Sequence, residues 1–189
     1  MGQNSRFKIY LKVIYNTLSF KKCPLNIKEN KKYEISGENT NIITKTGKRG
    51  WTGAICEKEL ENLKEHKWKV KILNTTQDKI IMVGVAPISF DSNSSSFDNC
   101  GWYFYCYNST LYSGPPHNYS NKETNLSKVN DEIIIIMNMN KRTLKFIING
   151  EDKGESYTDI PIDKPLFPSV YLIDINDSVE IIECQNKIY

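Results

Sequence analysis

Apolar residues in this chain recur at every second position, and that period constrains the fold more than any other feature of the sequence. Trp68, Val70 and Ile72 alternate with Lys67, Lys69 and Lys71, and Leu144, Phe146 and Ile148 are set against Thr143 and Lys145. Near the start, Phe7, Ile9, Leu11 and Val13 interleave with Lys8, Tyr10 and Lys12. Successive side chains of an extended strand point to opposite faces, so each run lays one face on a core and turns the other outward. A second kind of run is apolar along nearly its whole length and rich in β-branched or aromatic residues: Ile80 to Ala86, Trp102 to Tyr107, Ile133 to Met139 and Leu166 to Leu172. These read as central strands.

Turn signals separate the runs. Asn140-Lys141 precedes Arg142, Asn149-Gly150 follows Ile148, Ser113-Gly114-Pro115-Pro116 follows Tyr112, and Asp91 to Asn99 is rich in Ser and Asn. Short strands at such spacing predict an all-β sandwich or barrel. Only Glu57 to Glu65 reads as helical, with Leu60 and Leu63 three apart, and it is long enough for one or two turns. Cys23 to Lys32 is a basic stretch with Pro24, a linker or an edge loop, and Tyr107 to Val129 reads as a long polar loop. We expect two segments: residues 1–32, an N-terminal strand and basic linker packed on the sandwich, and residues 33–189, the main domain.

With 189 residues, 39% of them hydrophobic and 25% charged, the chain can bury one sizeable core. A net charge of +3 with Lys and Arg scattered among Asp and Glu argues against a nucleic-acid partner. Five cysteines without C-x-x-C spacing, and a start without the apolar stretch of a signal peptide, point to a reducing cytoplasm. Asn-x-Ser/Thr triplets matter only in a secreted chain. No apolar run reaches the length of a membrane span.

Candidate chemistry is sparse. His66 lies two residues before Trp68 on one strand face and reads as a hydrogen-bonded structural histidine, while His117 follows Pro115-Pro116 in a loop. Cys100 and Cys106 flank an aromatic strand and read as packing residues rather than metal ligands, and no cofactor motif is present, so no cofactor is expected. Gly2 is a candidate for acylation, although Arg6 stands where the motif has a hydroxyl, so an ordinary start is the rival reading. The run Trp102-Tyr103-Phe104-Tyr105-Cys106-Tyr107 puts three tyrosines on one face, where rings near a strand end can anchor a ligand.

Several ordered motifs resemble the SPRY domain. His66-Lys67-Trp68-Lys69-Val70 is similar to that family's His-Tyr-Trp-Glu-Val strand, and Val83-Gly84-Val85-Ala86 to its Val-Gly-Val-Ala strand. Gly101-Trp102, leading to Leu111-Tyr112-Ser113-Gly114, resembles the next segment, Leu144 to Gly150 with Gly154 resembles its hairpin, and Leu166-Phe167-Pro168-Ser169-Val170 its later strand. Lys69 replaces the usual acidic residue, Asn130-Asp131 a Gly-Asp pair, and the tryptophan-glycine of the last turn is not reproduced.

The resemblance implies a bent antiparallel β-sandwich of concanavalin-like jelly-roll type, without catalytic residues, that binds a protein or short peptide through loops at one end. Such domains often sit in ubiquitin-ligase or signalling proteins. In the SPRY-and-SOCS-box type, which the chain is similar to from Gly101 to Gly154, the tyrosine matching Tyr112 helps line the peptide pocket; a structural strand-end tyrosine is the equal rival. Ser113, Gly114, the loop with Lys48, Arg49 and Trp51, and the turn with Asp174 and Asn176 are the neighbouring candidates. The expectation is a monomeric cytoplasmic adaptor that meets a membrane only if Gly2 is acylated. A carbohydrate-binding sandwich is the alternative, since aromatic-lined sandwiches also stack on sugars.

Overall fold

The computed structural model describes residues 20–21, 32–38, 40–76, 80–87, 101–113 and 128–183. The expected strand at Phe7 to Val13, together with Gly2, Gly114 and His117, lies outside the described residues. Two antiparallel sheets contain all the strands of the described residues. The first has six, in the order β1 (Phe20–Lys21), β4 (Thr52–Cys56), β12 (Leu166–Leu172), β6 (Ile81–Pro87), β7 (Trp102–Tyr105) and β8 (Thr110–Tyr112). The second has seven, in the order β11 (Glu151–Tyr157), β10 (Thr143–Ile148), β9 (Glu132–Asn138), β5 (Glu65–Asn74), β13 (Ser178–Glu183), β3 (Ile42–Lys45) and β2 (Tyr33–Ser36).

The alternation in the sequence is the alternation in space. On β5, Trp68, Val70 and Ile72 are buried and their lysine neighbours half-buried; on β10, Leu144, Phe146 and Ile148 are buried in the same way. These inward residues meet Val83, Val85, Phe104, Val170 and Leu172 of the other sheet, forming the main core. The hairpin between β10 and β11 turns at Asn149 and Gly150, with φ of 47° and 87°, the left-handed pair that an Asn-Gly turn favours.

Two expectations change. Residues 57–64 form bends and turns rather than a helix: the Leu60 amide donates to the Leu166 carbonyl at 2.8 Å, Leu60 is buried in the core, and Leu63 takes a left-handed φ of 61°. An anchor to another strand outweighs a helical nucleus that short. The stretch after Tyr107 is not loop throughout, because Thr110–Tyr112 pairs with β7 as an edge strand. Among the described residues no helix is long and apolar enough to cross a membrane.

Candidate functional site

At one end of the sandwich the β3–β4 loop, the residues after β5 and the β12–β13 turn are tied together by backbone and carboxylate. Lys45 donates its amide to the Asp177 carbonyl at 2.9 Å, Asn176 donates to the Lys45 carbonyl at 2.8 Å, and Gly50 to the Ile173 carbonyl at 3.0 Å. Lys45 points inward from β3 and is wholly buried, so its ammonium needs acceptors. It finds the Lys48 carbonyl at 2.9 Å, which folds the loop back over the strand end.

Two aspartates complete the tie. Asp177, fully buried, accepts the Thr76 amide at 3.0 Å and the Asp174 amide at 3.0 Å. Burial, the largest single influence, pushes its carboxyl above the ordinary value; those amides pull it down, and the Asp174 charge adds to the rise. Asp174, 8% exposed, accepts the Thr76 hydroxyl at 2.8 Å and pairs with Arg49 Nε at 2.8 Å. Both its carboxylate oxygens are therefore engaged within the chain. Lys48, Ile175 and Asn176 are exposed above this base, and Asn176 holds a φ of 72°.

Beside the tie, aromatic rings converge on the outer face of the six-stranded sheet. Tyr105 stands edge-on to Trp51 at 6.1 Å and to Tyr112 at 6.1 Å, and lies 5.9 Å from Tyr107, while Trp51 also meets Tyr171 edge-on at 6.2 Å. Trp51, Tyr105, Tyr112 and Ser113 are half-buried and Tyr107 is 54% exposed. The row rests on a floor of Tyr103, Tyr171, Met82 and Ile55. The Tyr103 hydroxyl is bonded to Ser169 Oγ at 2.9 Å, and Ser169 in turn donates to the Ala54 carbonyl at 3.1 Å.

The sequence-derived candidates thus form two adjoining groups. Trp51 and Tyr112 are bridged by Tyr105, and Lys48, Arg49, Asp174 and Asn176 share the loop tie next to Trp51. Reading the sequence missed Tyr105 as the bridge, Lys45 as the buried staple, and Asp177 with Thr76 as the base; the spacing of Asp174 and Asp177 was the available signal for a carboxylate-capped turn. His66 Nε2 donates to the Glu61 carbonyl at 2.8 Å, in the structural role its position predicts. Among the described residues no group of three His, Cys, Asp or Glu could hold a metal ion.

A family model described as the SPRY domain matches residues 65–186. The chain belongs to the SPRY family. The SPRY domain of human HERC1 superposes with a TM-score of 0.68 at 20% identity, covering 83% of this chain and 98% of that one. A second human SPRY domain gives 0.60 at 15% identity, covering 80% and 94%. A search of the curated proteins found no match. Likeness at these identities carries the fold, and the bent sandwich of two antiparallel sheets agrees with it. SPRY domains are protein-interaction modules, generally without enzymatic activity.

Proposed function

We propose that the loop end of this SPRY domain binds a protein or short peptide without catalysis, using the ring row Trp51, Tyr105, Tyr112 and the exposed rim of Lys48, Arg49, Ile175 and Asn176. The observation that carries the reading is the convergence of rings from three separate strands or loops beside a loop base held by buried carboxylates. Rigid aromatic area flanked by polar groups is what a recognition patch needs, because rings contribute contact surface at small entropic cost. Asp174 and Asp177 act as positioning residues in this scheme: they hold the rim in place from below. Gly114 belongs to the same proposal by its neighbourhood in sequence to Ser113. The N-terminal residues 1–32 are assigned a packing role on the sandwich, supported by the pairing of Phe20–Lys21 with β4, and the proposed setting is the cytoplasm, in an adaptor role.

The test is affinity capture from cytosol with the wild-type chain and with Tyr112→Ala and Lys48→Glu variants, each checked for folding by circular dichroism. A protein retained by the wild type and lost by a factor of about ten or more with either folded variant is the expected result. Equal retention by all three would remove the site from this end. Retention of glycans instead of protein would favour the carbohydrate alternative.

A further inference from the structure

The outer face of the seven-stranded sheet carries a pattern that matches itself. Strands β5, β9, β10 and β11 are adjacent, and their register sets two rows of outward residues. One row reads Lys69, Ile134, Ile147, Asp152; the next reads Lys67, Ile136, Lys145, Glu155. In these two rows basic residues therefore occupy one border and acidic residues the other, and the middle holds Ile134, Ile136, Ile147 and Lys145. Ile134, Ile136 and Ile147 are half-buried, and an open groove of about 280 Å³ crosses this face between Glu65, Ile136, Asn138, Thr143, Lys145 and Glu155.

We infer that this face docks a second copy of the same chain about a twofold axis running parallel to the strands between β9 and β10. Such an axis lays β5 of one copy over β11 of the other and β9 over β10. Row for row, Lys69 then meets the partner's Asp152, Lys67 meets the partner's Glu155, and Ile134 meets the partner's Ile147. Asn138 faces the partner's Thr143, and Ile136 lies against the aliphatic stem of the partner's Lys145. Every border contact is between opposite charges and each occurs twice. Charge complementarity of this kind fits a second copy in this orientation, because a twofold axis across the strands would instead lay β5 over β5 and set the lysines together.

Within one copy Lys69 already pairs with Glu132 at 2.7 Å and Lys145 with Asp152 at 2.5 Å, so the dimer extends existing pairs into networks across the interface. Four strands about 4.8 Å apart and roughly six residues long give a panel of roughly 400 Å². That is about half of the ~800 Å² per partner found in stable complexes, so the association is weak and concentration-dependent. Because the axis follows the strands, both loop ends point the same way. Where the proposed loop site holds, the dimer presents two such sites to one surface, with the gain of multivalency.

Sedimentation equilibrium of the full chain from about 10 μM to 1 mM tests the dimer without reference to any loop partner. The wild type is expected to approach twice the chain mass at the upper end, and less so in high salt. Lys69→Glu or Asp152→Lys alone should weaken self-association at least tenfold, and the two together should restore it to within about threefold. A mass of one chain at every concentration would overturn the inference. So would a dimer indifferent to the single changes, or a folded double variant that stays as weak as either single one.

Discussion

The outer faces of the two sheets are built on opposite plans. On the six-stranded sheet Ile55, Met82, Ala86, Tyr103, Phe167 and Tyr171 are at most 4% exposed, so β6 and β12 are buried on both faces along their whole length. On the seven-stranded sheet the outward residues of β5, β9 and β10 stay half-buried and mix Lys with Ile. Burial on both faces favours a continuous apolar run, as in β6, and burial on one face favours alternation, as in β5 and β10; β9 departs from this, since its apolar Ile134 and Ile136 face outward and are half-buried. The six-stranded sheet is consequently the rigid side, and it is the side that supports the ring row of the proposed site.

Gly84 is where the close packing of the six-stranded sheet leaves least room. A Cβ built there would lie 2.0 Å from the Trp102 carbonyl oxygen, and that neighbour is backbone, so β6 and β7 would have to separate. Gly84→Ala is expected to cost about 4 kcal/mol or more, measured by chemical denaturation, which puts it among the exceptional single changes. A loss under about 1 kcal/mol would mean that the two strands have slack, and that the outer layer is not the rigid support described above.

A matched pair of truncations sharpens the contrast. Tyr103→Ala removes a ring that is 1% exposed together with its bond to Ser169, and should cost about 3–5 kcal/mol. Ile134→Ala, at the middle of the other outer face, should cost about 1 kcal/mol or less when measured at concentrations where the chain is monomeric. Equal losses in denaturant unfolding would show that the two faces are supported alike.

Legibility in the sequence follows the same division. Strands β5 and β10 were readable because one-sided burial writes itself as period two, and β6 and β12 because two-sided burial writes itself as a run that is apolar almost throughout, broken in β12 only by the hydrogen-bonded Ser169. Strand β8 was not readable: three residues carry no period, and it exists because Tyr103, Phe104 and Tyr105 offer a partner edge. The helix expected at Glu57 to Glu65 failed because Leu60 is claimed by Leu166, a contact no local pattern reports. For the candidate site, resemblance brought out Tyr112, Trp51 and the two loops. The base beneath them depends on Thr76 meeting Asp177 and Asp174, residues 101 and 98 positions away, and such pairings emerge only from the closed fold.

The smallest expected effect is a titration on the open face. The hydrogen bond from Lys145, helped by the Gly154 amide at 2.8 Å, holds the Asp152 carboxyl below its ordinary value. Because the folded value is the lower one, this group favours the folded state above the unfolded value, and the contribution is lost as pH falls through the folded value. Lys145→Ala should move Asp152 upward, though not fully, since the Gly154 amide remains; carbon-detected NMR of the carboxyl resonance across acid pH measures it. An Asp152 that titrates identically in both proteins would mean that solvent screens the pair completely, and that border charges on this face are too weakly coupled to steer a second copy into register.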